Sequence, residues 1–346
     1  MPRTAPPNPA WWPAPSPQPL MVVGPNPAMD RLQVIGTLEP GGVHRVRTVA
    51  ARAGGKSFIV ARSIRALGPE VEIFGFLGGA AGQLAREECA TLGMGDRHTS
   101  IAADTRITPV IVEAKTGRST VFNEPGPALA AQEQERFWAA IDDAVAADRI
   151  TVCTGSLPPD LGSDTYARIV SLANGRGAFS AVDASGKVLR STLSSHPWLV
   201  KCNRSEFEGV LDRDATPDDS RSDDEAIRDR MRQLVDGGTG IVIVTMGAQS
   251  FWVATADGVW SVSVPVVPTV NATGSGDTFL AAFIAQVKLG ASFADALCAA
   301  AAAGAFNAAH LEPGLVPGAE LGPLAAQVRF TPVDQRALSV AGAPGA

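Results

Sequence analysis

A chain of 346 residues can bury a large core, as one α/β domain or two smaller ones. With 29 basic and 35 acidic side chains, a net charge of −6 and no basic block, it is not expected to bind nucleic acid or an anionic membrane surface, and an anionic small molecule would need a local cationic pocket. Four cysteines (Cys89, Cys153, Cys202, Cys298) lack any C-x-x-C and four histidines lack metal-ligand spacing, which argues against structural zinc and for a reduced, cytoplasmic setting. The longest apolar stretch, 296–309, is broken by Gly304 and Asn307 and is too short to span a bilayer, and the N-terminus has no apolar signal core.

Residues 1–19 hold eight of the 26 prolines and read as a disordered or loosely docked tail. From Leu20 the chain alternates short apolar runs with amphipathic ones. Strands are expected at 20–24, 71–77, 149–154, 179–183, 198–202 and 240–246, and helices at 57–67, 82–92, 131–147, 163–175, 223–236, 278–289 and 292–310. Strands apolar throughout, alternating with helices, imply an α/β fold with a mostly parallel central sheet flanked by helices. Two stretches break the rhythm. Residues 31–51 read as two strands around Glu39-Pro40-Gly41-Gly42, and 107–123 as a hairpin turning at Thr116-Gly117, so these four strands are expected to form a small β-sheet lid over the strand ends. The domain then spans 20–330, with 331–346 as a C-terminal tail.

The most informative stretch is NATGSGDTFLAAF, 271–283. Gly274 and Gly276 flank Ser275, Asp277 follows, and a long apolar helix begins. Glycines let backbone N–H groups approach a ligand, and a helix start carries unmet donors and partial positive charge. A carboxylate beside such a cradle suits transfer of a phosphoryl group to a hydroxyl. The same residues also read as an ordinary helix start with Asp277 as a first-turn acid. A rival phosphate site lies at AARAGGKS, 50–57, which differs from G-x-x-x-x-G-K-[ST] only by Ala50 and would make the chain a P-loop NTPase using Lys56 and Ser57.

Several motifs in order resemble the ribokinase-like carbohydrate kinases of the phosphofructokinase B family, in the branch of 1-phosphofructokinase and tagatose-6-phosphate kinase. They are NPAMD (26–30), AGGKSFIVARSIRALG (53–68), TRI (105–107), NEPGP (123–127), TGSLPP (154–159), NRSE (203–206), TMG (245–247) and GSGD (274–277). The resemblance implies an ATP-dependent, Mg²⁺-assisted kinase of a sugar phosphate. Asp277 would be the base and Gly274, Ser275 and Gly276 the anion hole. Asp30, Gly55, Lys56, Ile59 and Arg106 would bind the acceptor, with Arg106 on its phosphate. Asn203, Glu206, Thr245 and Gly247 would serve ATP, with Glu206 and Asn203 organising Mg²⁺ through water. Four lid strands are too few to be stable uncovered, so Val34, Ile35, Val46, Val110 and Val112 would be partly exposed in a monomer, and the resemblance implies a homodimer joined lid to lid.

Each residue has a plainer reading as well. Asn203 and Glu206 suit a helix-entry cap, Asp30 a turn, Lys56 a solvated face and Arg106 a lid salt bridge. The branch pattern GGKG-x-N is broken here, since Ser57 replaces a glycine and Ile59 the asparagine that touches substrate; Asp160 also replaces the glycine of GSLPPG. Fructose 1-phosphate or another hexose phosphate remains the first expected acceptor, and the lost asparagine makes a less hydroxylated analogue, a cyclitol or other pseudo-sugar phosphate, the second. A catalytically silent sugar-binding regulator is a third reading.

Overall fold

The structure is a computed structural model and describes residues 5–210 and 222–335. Its centre is a ten-stranded sheet in the order Phe330–Gln335, Gly258–Val262, Phe251–Thr255, Ile241–Thr245, Leu199–Asn203, Phe179–Asp183, Ile150–Thr154, Leu20–Val23, Val71–Phe74 and Gly95–Asp96. From Ile241–Thr245 to Gly95–Asp96 every neighbour runs parallel. The sequence shows why: Leu20 and Val22 enter one core while Met21 and Val23 enter the other, so both faces need helices and no alternation is visible. Helices Gly55–Ala66, Ser275–Lys288 and Phe293–Ala308 cover one face; Ala131–Ala144, Thr165–Gly175 and Asp223–Asp236 cover the other.

The three antiparallel strands at one edge, among them Phe330–Gln335, escaped the sequence reading. The expected C-terminal tail therefore begins inside a strand; its remainder, from 336, lies outside the described residues. The short helix Gly186–Leu193 was not expected, whereas Arg204–Glu208 is the helix that the cap reading of Asn203 and Glu206 implies. The run 71–77 breaks at Gly75, where a Cβ would lie 2.4 Å from the Gly24 carbonyl oxygen, and its end, Phe76–Leu77, pairs instead with Thr99–Ser100.

The N-terminal segment takes the docked form of the two expected for it. Residues 1–4 lie outside the described residues, but 5–19 are packed on the body. The Trp12 ring sits 5.2 Å from Phe293, 6.0 Å from Phe283 and 6.2 Å from Trp198, and its Nε1 donates to the Ala291 carbonyl at 3.1 Å. The Asn8 side-chain oxygen accepts from the Phe293 N–H at 2.7 Å, capping helix Phe293–Ala308. Proline content predicted low intrinsic order; one tryptophan finding an aromatic slot reverses that outcome.

The lid exists as a separate four-stranded sheet in the order Thr48–Gly54, Ala28–Ile35, Arg106–Glu113 and Ser119–Val121. Its two hairpins are antiparallel, but its central pair is parallel, with Asp30 opposite Thr108 and Leu32 opposite Val110. The expected exposed face is also corrected. Leu32, Val110 and Val112 are buried with half-buried Val34, Ala50 and Leu311 packed against them, and Ile35 is buried too; of the five valines and isoleucines named above Val46 is exposed and Val34 partly so, while the other three are covered. The outward face carries Val49, Ile107 and Phe122 instead.

Candidate active site

The parallel strands end at Val23, Thr154, Asp183, Asn203 and Thr245 on one rim of the sheet, where open α/β sheets leave a crevice. Two cavities lie there. One, of about 720 Å³ and beneath the lid, is lined by Asp30, Gly55, Lys56, Ile59, Arg106 and Ser156 among others. The second, of about 410 Å³, is lined by Asn203, Thr245, Gly247, Ser275 and Gly276 together with apolar Phe251, Val264 and Phe279. Both are lined by Lys56, Glu206 and Asp277, which therefore stand where the two meet.

Gly274, with φ +78°, caps helix Ser275–Lys288 without any side-chain cap, so Asp277 falls in the first turn. The N–H groups of Gly276 and Asp277 have no carbonyl one turn earlier within the helix and point out of its positive end. The Ser275 N–H differs from expectation: it donates to the Ala272 carbonyl at 3.2 Å and closes the turn. Gly276 approaches Lys201 closely: a Cβ there would lie 2.7 Å from Nζ and would push that ammonium group from its place on Asp183.

Beneath that turn lies a charge cluster that the sequence reading did not assemble. Asp183 is fully buried at the end of its strand. Its Oδ1 accepts from Lys56 Nζ at 2.6 Å and its Oδ2 from Lys201 Nζ at 2.7 Å. Burial by itself would raise the Asp183 pKa, but the two ammonium groups outweigh it and hold it below the usual value. Burial likewise pulls Lys56 down, and the carboxylates of Asp183, Asp277 and Glu206 more than reverse this, so Lys56 stays charged. Asp277 shows the opposite balance. Burial pushes its pKa up to about 7, with Asp183 and Glu206 adding to the rise and Lys56 and Lys201 opposing it.

Asn203 and Glu206 form a capping box: Asn203 Oδ1 accepts from the Glu206 N–H at 2.9 Å, and Glu206 Oε2 from the Asn203 N–H at 2.9 Å. The remaining Glu206 oxygen, Oε1, lies 3.6 Å from Lys56 Nζ. The plain helix-cap reading is thus what the two residues do in this structure, while Oε1 still faces the junction of the cavities. Among the described residues no group of three or more His, Cys, Asp or Glu side chains could hold a metal by itself. Thr245 ends its strand and Gly247 turns away with φ +64°, opening the second cavity.

On the lid side, Asp30 is raised by burial against the Gly55 N–H, which donates to it at 3.3 Å, and against nearby Arg106. Gly54 allows this approach, since a Cβ there would sit 2.0 Å from the Asp30 carboxyl carbon. Arg106 donates to the Asn26 carbonyl at 3.0 Å and the Glu124 carbonyl at 3.3 Å, and its buried Nε has no partner. Ile59 lines the first cavity yet is 4 % exposed, packed beneath Gly274. The P-loop reading fails on geometry: residues 50–54 are an extended strand of the lid paired with 28–32, so no loop remains there to wrap a phosphate, and Lys56 points to Asp183.

Residues 26–316 match the family described as pfkB family carbohydrate kinase. The chain belongs to that family. It is 30% identical to a tagatose-6-phosphate kinase of Staphylococcus epidermidis over 258 residues, 74% of this chain and 81% of the relative. It is also 30% identical to a 1-phosphofructokinase of Rhodobacter capsulatus over 306 residues, 88% of this chain and 94% of the relative. In fold it resembles the phosphofructokinase-2 of Escherichia coli solved with substrates and products, at TM-score 0.81 and 23% identity, covering 89% of this chain and 99% of that one. For this pfkB kinase all thirteen site residues expected from the sequence fall around the two cavities or in the turn between them. Asp183 and Lys201 are what the motifs missed. Their signal was a single charge in each of two apolar strands, FSAVD and LVKCN.

Removing the Asp183 charge leaves two buried or half-buried ammonium groups facing one another. Asp183→Asn is expected to cost about 3 to 5 kcal/mol at pH 7, read by denaturant unfolding. Because the folded-state pKa lies below the unfolded one, this stabilisation is full above the unfolded value of about 4 and is lost as pH falls through the folded one. The gap between variant and wild type should therefore narrow in acid; a gap unchanged from pH 7 to pH 3 would contradict the charge origin.

Proposed function

We propose that the chain transfers the γ-phosphoryl group of ATP to a hydroxyl of a hexose phosphate, of the kind that 1-phosphofructokinase and tagatose-6-phosphate kinase act on. The observation that carries this reading is the meeting, at Asp277, of a cavity lined by Lys56, Arg106 and Asp30 with a second one walled by Phe251, Val264 and Phe279. An acceptor in the first, with its phosphate toward Arg106 and its hydroxyls toward Asp30, would present one hydroxyl to Asp277. A nucleotide in the second would rest its base among Phe251, Val264 and Phe279, with its phosphates reaching the GSGD turn.

In the transfer, Asp277 accepts the proton of the acceptor hydroxyl as its oxygen bonds to phosphorus and the bond to the leaving ADP oxygen breaks. A base with pKa near 7 is well matched to this work at neutral pH. The N–H groups of Gly276 and Asp277, the helix N-terminus, and the ammonium groups of Lys56 and Lys201 meet the charge on the group in flight. Asp183 keeps those two lysines in place. Magnesium would neutralise phosphate charge when bound. Glu206 Oε1 suits it through water, because this oxygen is held only by a longer contact to Lys56, whereas Asn203 Oδ1 is already occupied and acts by fixing Glu206.

A cyclitol phosphate stays the second acceptor, favoured by the apolar Ile59 in place of asparagine. Ile59 is almost fully buried and its side chain lies against Gly274 and Gly314, so little of it faces the cavity and the hexose phosphate is preferred. A cytoplasmic setting accords with four free cysteines. No helix among the described residues is long and apolar enough to cross a membrane.

Asp277→Asn is expected to lower kcat roughly 10²-fold or more with fructose 1-phosphate or tagatose 6-phosphate as acceptor, while nucleotide binding changes little. A variant that keeps near-full turnover would remove Asp277 from the mechanism. We further propose a homodimer through the outward lid face of Val49, Ile107 and Phe122, since a small sheet with an exposed apolar face is marginal alone. Sedimentation at micromolar concentration should show a dimer that Phe122→Asp dissociates; a fully active monomeric wild type would contradict it.

A further inference from the structure

Helix Phe293–Ala308 is rich in alanine and buried along most of its length, yet its last turn holds Asn307, 1 % exposed. An amide has two donor hydrogens and two acceptor positions, and here all four are used. Nδ2 donates to the Thr273 carbonyl at 2.9 Å and to Ser275 Oγ at 3.1 Å. Oδ1 accepts from the Gly314 N–H at 2.9 Å and from Thr278 Oγ1 at 3.1 Å. The orientation of the amide is unambiguous, because a backbone carbonyl can only accept and a backbone N–H can only donate.

These partners are not scattered. Thr273 and Ser275 flank Gly274, Thr278 follows Asp277, and Gly314 closes the turn after Pro313. A Cβ on Gly274 would lie 2.8 Å from Pro313 and 3.3 Å from Ile59, and one on Gly314 would lie 3.2 Å from the Ile59 carbonyl oxygen. The anion-hole turn is thus gripped from within by one amide and backed by Ile59 and Pro313. An apolar residue could fill the same volume without needing four partners, so what the amide adds is a fixed geometry.

We infer that Asn307 is a positioning residue for phosphoryl transfer, holding Gly274 and the first turn of helix Ser275–Lys288 so that Asp277 and the Gly276 N–H face the reacting phosphorus. It touches neither substrate; it acts through the turn. The inference rests on the reading of Asp277 as the base, so the two are tested side by side.

The test compares Asn307→Ala and Asn307→Asp with wild type, with Asp277→Asn, and with Leu297→Ala, a buried apolar truncation on the same helix. Asn307→Asp keeps both acceptor bonds but cannot donate to the Thr273 carbonyl. Both Asn307 variants should lose roughly 10- to 100-fold in kcat, as expected for a small displacement of reacting groups, with both KM values near wild type. Leu297→Ala should lose stability and keep its kcat. If Asn307→Asp folds and turns over within about two-fold of wild type, or if Leu297→Ala loses as much kcat, the inference is overturned. Should neither Asn307 variant fold, Thr278→Val removes a single one of the four bonds, and an unchanged kcat there would overturn it equally. An active Asp277→Asn would instead sink the reading on which it rests.

Discussion

The site depends on one buried carboxylate. Asp183 receives an ammonium group on each oxygen, one from the start of helix Gly55–Ala66 and one from strand Leu199–Asn203, and so ties three elements together at the rim of the sheet. Without it, two cations would face each other in a desolvated space; with it, they stand as a fixed positive floor beneath the GSGD turn. Burying charges costs free energy unless each is paired, and here both Asp183 oxygens and both ammonium groups are paired. The same burial sets Asp277 apart. It is held near the lysines but is not their hydrogen-bonding partner, and its pKa rises where that of Asp183 falls. Of two buried aspartates at this rim, one is thus held below its ordinary pKa by paired ammonium groups and the other is raised by burial.

The fold delivers this arrangement because parallel strands finish together. Thr154, Asp183, Asn203 and Thr245 are the last residues of neighbouring strands, so the side chains beyond them converge by topology rather than by long loops. The lid closes the other side with Asp30 and Arg106, and both come from its central parallel pair, whose first residues Ala28 and Arg106 lie opposite one another. The lid is latched to the same turn region: Ser119 donates to Asn271 at 2.8 Å and Arg52 pairs with Glu312 at 2.5 Å.

Much of this was legible in the chain. Glycines around Ser275 mark a helix start with free backbone donors, which is legible because backbone chemistry needs only local residues. Strand and helix alternation is likewise local, and it led directly to the central sheet. What stayed hidden depends on contacts distant in sequence. Asp183 and Lys201 each look like a stray charge in an apolar strand until the sheet aligns those strands. Asn307 looks like an interruption in an alanine run until its four partners are seen. The alternation in the lid strands defines two faces but not which one the body covers, so the exposed residues were named on the wrong face. At the N-terminus composition left disorder and docking open, and what decides is distant: Trp12 packs against rings hundreds of residues away.

The account stands on Asp277 being a buried carboxylate that must lose its proton before it can take one. The most direct measurement is the pH dependence of kcat/KM for the acceptor, which reports groups of the free enzyme. The account predicts a rate that rises with pH as Asp277 ionises, with an apparent pKa close to 7, and an Asp277→Asn variant whose residual rate lacks that ionisation. A wild-type profile flat from pH 5 to 8, or one whose step near 7 persists in Asp277→Asn, would contradict it.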